Sequence, residues 1–199
     1  MLLSVQKMFY RSATFAFLLL LSACQAEQPW ATSHVPGAMP NLSFNLTEAN
    51  QNKAVTAEDY HGKVVMLFFG FTNCPGVCPT TLLHLQKGLS ILAEKAEHVQ
   101  VLFVTVDPER DGLQEIKQYT ENFGPQTVGL TGDKTALAQL TKTYGVSHEN
   151  QQADTDGNYD IAHGSTVYVF DREGAIRLLV RTSDSIDAVA SDLQRLLDE

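Results

Sequence analysis

Phe68-Phe69-Gly70-Phe71-Thr72-Asn73-Cys74-Pro75-Gly76-Val77-Cys78-Pro79-Thr80-Thr81 joins two segments of different periodicity, and its reading decides the fold. Upstream, Val64 to Phe69 is an unbroken apolar run whose β-branched and aromatic residues suit a strand buried on both faces. Pro75-Gly76 then punctuates a turn between the cysteines. Downstream, Pro79 suits the first position of a helix, and Leu82, Leu83, Leu85, Leu89, Ile91 and Leu92 predict that helix over Thr80 to Ala96. Cys78 is therefore expected at or near the N-cap.

A thiol at a helix N-terminus meets the positive end of the helix dipole, which favours the thiolate. Thiolate is both the nucleophile of disulfide exchange and the ligand of a soft metal, so two chemistries start from the same pair. Three intervening residues make a looser loop than a Cys-x-x-Cys turn, with room for two sulfurs to converge on an ion or to form a disulfide. Free cysteines are often plain buried apolar residues. A pair bracketing Pro-Gly at a strand-to-helix junction points instead to a site.

Working back from the pair, Ala13 to Leu21 is an apolar run preceded by Lys7 and Arg11, the right size for a signal-peptide h-region and too short for a membrane span. It ends Leu21-Ser22-Ala23-Cys24, which resembles the lipobox of bacterial lipoproteins. Residues 1–23 are thus expected to be removed and Cys24 to carry the lipid that anchors the protein to the cell envelope, its domain facing the periplasm or extracytoplasmic space. Gln25 lacks the Asp associated with inner-membrane retention in enteric bacteria. Residues 24–40 carry Pro29, Pro36 and Pro40 without periodicity and read as a flexible tether. Trp30, His34 and Met39 in that stretch are treated as chance neighbours, not copper ligands.

With Cys24 assigned to lipid, two of the three cysteines remain, an isolated pair in an oxidising compartment. Loss of Lys7 and Arg11 with the leader moves the formal net charge from −9 to −11. So acidic a domain is a poor binder of nucleic acid and of anionic membrane surfaces.

Residues 41–199 read as one α/β domain. Leu42, Phe44 and Leu46 alternate as a half-buried strand, followed by a turn at Asn50-Gln51-Asn52 and Ala54-Val55. Val99 to Val106 is a second buried strand, ending in Asp107-Pro108-Glu109-Arg110-Asp111. A helix over Leu113 to Phe123, a strand over Thr127 to Leu130 and a helix over Lys134 to Tyr144 follow. After the polar loop Ser147 to Asp160 come a hairpin, Thr166 to Phe170 with Ala175 to Arg181, and a helix over Ser185 to Leu197. The order matches a thioredoxin-like fold with an N-terminal strand extension and an inserted loop before the final hairpin. Asp154-Thr155-Asp156-Gly157-Asn158 in that loop imitates an EF-hand, but its glycine is two positions early and Ser165 replaces the bidentate glutamate. His148 in the same loop is incidental.

Beyond the loop, Tyr159-Asp160-Ile161-Ala162-His163-Gly164-Ser165-Thr166 leads into a buried strand. In a thioredoxin-like fold that approach faces the cysteine turn. An imidazole from His163 would complete a two-sulfur, one-nitrogen set, soft enough for Cu(I) and tolerable to Cu(II). Structural zinc usually demands a fourth protein ligand, and none is evident.

These motifs together resemble the Sco/SenC family: Phe71 to Pro79 is similar to its cysteine motif, Asp107-Pro108-Glu109-Arg110-Asp111 to its acidic turn, and His163 to its histidine. The resemblance runs in order over roughly residues 41 to 198. It implies copper, Cu(I), Cu(II) or both, held by Cys74, Cys78 and His163, and a metallochaperone that helps build the dinuclear copper centre of a haem–copper oxidase. The implied partners are the oxidase's copper-site subunit and, upstream, another periplasmic copper chaperone or a thiol reductase.

Many members carry Asp directly before the histidine, where this chain has Ala162, and Asp160 is the candidate to orient the ring instead. Asp107 is a candidate second carboxylate near the site or simply the start of a turn, with Asp111 capping the next helix. The alternative function is a thiol-disulfide oxidoreductase that keeps the oxidase cysteines reduced through a redox-active Cys74–Cys78 disulfide. Against it, such enzymes place a cis-proline before the facing strand, and this chain has no proline after Pro125. A thiol peroxidase would need Thr or Ser where Phe71 or Pro75 stands.

Overall fold

The computed structural model describes residues 28–146, 149–150, 161–162 and 165–199. In chain order the elements are β1 (Ser33–His34), β2 (Asn45–Glu48), β3 (Lys53–Thr56), β4 (Val64–Gly70), α1 (Val77–Ile91), β5 (Val99–Thr105), α2 (Leu113–Glu121), β6 (Thr127–Thr131), α3 (Lys134–Thr143), β7 (Glu149–Asn150), β8 (Ile161–Ala162), β9 (Val167–Phe170), β10 (Ile176–Val180) and α4 (Ile186–Asp198). Short 3-10 turns cover Ala57–Tyr60 and Ala93–His98.

Eight strands form one sheet in the order β1-β10-β9-β4-β5-β6-β2-β3. β4 lies near its middle, parallel to β5 and antiparallel to β9. Every residue of β4 and β5 is buried, as expected of predominantly apolar runs with neighbours on both edges. The β2–β3 hairpin extends the sheet beyond β6, which confirms the N-terminal strand extension. β2 itself starts at Asn45, later than the alternation from Leu42 suggests. Around the sheet, α1 packs on α4 and α2 on β6. At Gly129 the Ile116 Cγ2 of α2 occupies the place a Cβ would take, 1.9 Å away, so only glycine lets α2 come this close.

Two expectations about boundaries change. Helix α1 begins at Val77 with Gly76 as N-cap, so Cys78 is already the second helical residue. Pro79 in the first turn tolerates this because the N–H groups there have no intrahelical acceptor to lose. The helix also stops at Ile91: Ala93 turns to φ 51° and a 3-10 segment completes the connection.

The described part of the expected tether, residues 28–40, is bound to the domain. The N–H groups of Ala31 and Thr32 and the Thr32 hydroxyl donate to the buried Asp192 carboxylate of α4, at 3.0, 2.7 and 2.7 Å. β1 pairs with β10. The Trp30 ring stacks on His34 at 4.6 Å and lies under the Arg195 guanidinium at 3.9 Å. The partners sit some 160 residues away, at Asp192 and Arg195, so local composition gives no sign of them.

Candidate metal centre

The cysteine turn leaves β4 at Gly70, whose carbonyl accepts from the Val106 N–H at 2.8 Å and so ties the ends of β4 and β5 together. The chain then folds back: the Cys74 N–H donates to the Phe71 carbonyl at 3.3 Å, and the Cys78 N–H to the Cys74 sulfur at 3.4 Å. Both residues are thiols and no disulfide joins them. Cys78 is completely enclosed, whereas Cys74 keeps 7% of its surface exposed. A Cβ on Gly70 would stand 2.7 Å from both the Cys78 sulfur and Phe103 Cε2, so the absence of a side chain here makes room for the sulfur.

The position of Cys78 in the first turn of α1 does not make it a thiolate in the metal-free protein. Burial pushes its pKa well above the usual thiol value, reinforced by the neighbouring Cys74 and by Asp111 and opposed by a hydrogen bond from the Phe71 backbone. Desolvation thus outweighs the helix dipole, contrary to the expectation from sequence. Ligation reverses this balance because a cation replaces the proton.

The acidic turn after β5 is also built differently from expectation. Asp111 does not cap α2, whose N-cap is Gly112. Its buried carboxylate instead accepts from the Thr72 N–H at 3.0 Å, the Thr72 hydroxyl at 2.5 Å and the Thr105 hydroxyl at 2.6 Å. Thr105 in turn accepts from the Asp107 N–H at 2.9 Å. One carboxyl group therefore locks the cysteine turn, the end of β5 and the acidic turn into a unit. Burial raises the Asp111 pKa, and the threonine donors oppose that rise. Asp107 is buried as well and pairs with Arg110, whose guanidinium lies 5.7 Å from the Phe71 ring centre. Thr72, Thr105 and Asp111 are the supports that sequence reasoning missed; the only signal was polar residues falling at the ends of two buried strands.

His163, Asp160, His148 and Cys24 lie outside the described residues. Among the described residues no group of three or more His, Cys, Asp and Glu side chains converges as a metal site, so the sulfur pair is what the geometry supplies. The register of β9 bears on where further donors enter: Val167 pairs with Phe68 and Phe170 with Val65. The chain therefore comes into β9, through Ser165 and Thr166, from the end of β4 at which the cysteine turn begins.

An α/β sheet of this order with two thiols at a strand-to-helix junction defines a thioredoxin-like domain with a Cys-x-x-x-Cys site. The SCO1/SenC family profile matches residues 36–198, and the chain belongs to that family. It is 32% identical over 162 residues to a putative copper-binding protein of Stutzerimonas stutzeri, covering 81% of this chain and 78% of that protein. Against the mitochondrial SCO2 homolog of Danio rerio it is 38% identical over 121 residues, 60% of this chain but only 43% of that longer protein. The solved structure of Bradyrhizobium japonicum ScoI with copper bound aligns with a TM-score of 0.72 at 34% identity, over 78% of this chain and 98% of the other. The thioredoxin-like fold expected from the element order holds.

Proposed function

We propose that this protein is an extracytoplasmic copper metallochaperone that binds copper through Cys74, Cys78 and His163 and helps assemble the dinuclear copper centre of a haem–copper oxidase. The observation that carries the reading is the juxtaposed thiol pair, with the Cys78 N–H on the Cys74 sulfur, held by an Asp111 network made for that turn. Two soft sulfurs suit Cu(I), and relatives of this chain are named for copper or hold it. His163 is carried by the family resemblance, and the β9 register agrees with it in that Ser165 and Thr166 lie toward the end of β4 at which the cysteine turn begins. Copper here is cargo, acquired and passed on.

Anaerobic titration of the reduced full-length protein with copper tests this, with metal analysis and absorption spectroscopy as readouts. One copper per chain is expected for the reduced protein and almost none for the oxidised one, because a disulfide leaves no thiolate to bind. Equal uptake by both forms would move the site elsewhere.

The alternative, a thiol-disulfide oxidoreductase, draws support from the two neighbouring thiols, which disulfide exchange would use as an attacking and a resolving pair. His163→Ala separates the readings. Under the copper reading the variant keeps Cu(I), which two thiolates hold unaided, and loses most Cu(II) binding together with its sulfur-to-copper charge-transfer band. Disulfide exchange survives the same change. A variant with an intact Cu(II) spectrum but no reductase activity would make His163 a partner of the thiols and the enzyme reading the better one.

Anchoring rests on Leu21-Ser22-Ala23-Cys24. No helix among the described residues is long and apolar enough to cross a membrane. Cys24→Ser is expected to move the protein from the membrane fraction to the soluble fraction or to leave it as an unprocessed precursor. Mature wild-type protein without acyl mass on its first residue would remove the anchor.

A further inference from the structure

The N-terminal segment is fastened to the domain at the end opposite the cysteine turn. The Gln28 carbonyl accepts from the Arg195 guanidinium in the last turn of α4. The Trp30 ring lies 3.9 Å from the same guanidinium and 5.5 Å from that of Arg177, and Ala31 and Thr32 are held by Asp192. This last turn of α4 is tied to the β9–β10 turn and to the 3-10 segment ahead of β5: the Leu197 carbonyl accepts from Arg172, Glu199 pairs with Arg177 at 2.6 Å and Asp198 with Lys95 at 2.7 Å. All of these lie where β4 begins, because Phe170 pairs with Val65 and Val99 with Val64. The cysteine turn leaves β4 at Gly70, its other end, a rise of about 20 Å along the strand.

Residues 25–27 are all that separates Cys24 from Gln28. Four peptide steps reach no farther than about 14 Å. A lipid on Cys24 therefore keeps Gln28, and with it the last turn of α4, within that distance of the bilayer surface. Placing the cysteine turn against the lipid instead would lift Gln28 by the length of β4, about 20 Å, which the leash cannot span. Were residues 25–40 a loose tether, their root-mean-square span of about 22 Å would leave both orientations open. Charge does not make the choice: Lys95, Arg177 and Arg195 are each matched by a carboxylate, which leaves them little attraction for anionic headgroups.

We propose that the end of the domain formed by the last turn of α4 and the β9–β10 turn is its membrane-facing surface, held against the lipid bilayer by the clamp on residues 28–32, with the cysteine turn directed away from the membrane. The inference rests on lipidation of Cys24 as proposed above.

Two lysines report the orientation. Lys95, at the α4 end, has 49% of its side chain exposed, and Lys134, paired with Glu109 of the acidic turn, has 72%. The full-length lipoprotein is inserted into the outer leaflet of preformed phosphatidylcholine vesicles and labelled with an amine reagent that does not cross lipid, each lysine being read by peptide mass. It is compared with a variant carrying about twenty Gly and Ser residues between Glu27 and Gln28, which keeps the clamp and gives the leash a span of about 25 Å. Unfolding midpoints of the two should coincide, because the insertion precedes every clamp contact. Lys95 is expected to label several-fold more slowly in the wild type than in the variant, and Lys134 at the same rate in both, in low and high salt alike. Asp192→Ala, which opens the clamp itself, should raise Lys95 labelling in the same way. Equal Lys95 rates in wild type and insertion variant overturn the inference, and so does a Lys134 slowed as much as Lys95. A slowing that salt abolishes also overturns it, since charge would then orient the domain. Any of these results in a protein that carries acyl mass and floats with the vesicles leaves the anchor standing. A wild type without acyl mass that does not float overturns the anchor first and this inference with it.

Discussion

Replacing Gly70 with alanine is expected to weaken copper binding by more than about tenfold while the protein still folds. The new methyl group would lie 2.7 Å from the Cys78 sulfur on one side and from Phe103 Cε2 on the other. Neither neighbour is the loose end of an exposed chain: both residues are fully buried. Overpacking of this kind costs about 1–3 kcal/mol in stability, relieved by moving whichever neighbour yields. The sulfur sits on the first turn of α1, whereas the Phe103 ring is wedged against Phe68 and Tyr119, so the sulfur is the neighbour expected to yield. Under the proposed ligation by Cys74 and Cys78, a displaced sulfur no longer meets its partner in ligating geometry, so affinity falls by more than the loss of stability alone would suggest. Copper titration and thermal unfolding of Gly70→Ala check this together. Wild-type copper affinity in a folded variant would show that the crowding is relieved without moving Cys78, and that Gly70 has no part in shaping the site.

Asp111→Ala is expected to be the most damaging single change outside the cysteines. It strands the Thr72 N–H and the Thr72 and Thr105 hydroxyls, which together direct three hydrogen bonds at the one carboxylate. An orphaned buried group costs about 1–3 kcal/mol; only the Thr105 hydroxyl is fully buried and the two Thr72 groups are part-buried, so the sum should be about 3 kcal/mol. Because Thr72 precedes Cys74 by two residues, the loss also unpins the cysteine turn, and copper affinity should fall with stability.

The pH dependence of that deficit has a definite sign. Burial raises the Asp111 pKa, so the native state holds this proton more tightly than the unfolded chain does. The stability contributed in this way is complete below the unfolded value of 3.8 and is lost as pH rises through the native pKa. The gap between wild type and Asp111→Ala should therefore be widest in acid and narrow as the carboxyl ionises. Denaturant unfolding at several pH values measures it; a gap that widened with rising pH would mean that the threonine donors, not burial, control this carboxyl.

What the sequence determined by itself follows from local rules. Val64–Phe69 is apolar without interruption and Val99–Thr105 is apolar but for Gln100 and the terminal Thr105, a composition that suits central strands, and both are buried along their length. Pro75-Gly76 between two cysteines, followed by helical periodicity, pointed to the candidate site at the end of β4. The order of strands and helices was enough for the thioredoxin-like fold.

The tertiary structure decided matters in which the partners are distant in sequence or the forces oppose one another. Asp111 looked like a helix cap because caps are local; its true partners, Thr72 and Thr105, lie on other segments. Residues 28–40 looked like a tether because nothing nearby holds them, while Asp192 and Arg195 on the last helix do. Cys78 looked like an activated thiol from its helix position alone, and complete burial reversed the sign of its pKa shift. Spacing and periodicity record which residues are neighbours along the chain. Desolvation and hydrogen bonding depend on what the folded chain packs around each group, and at this site they set the protonation of Cys78 and the anchoring of the cysteine turn.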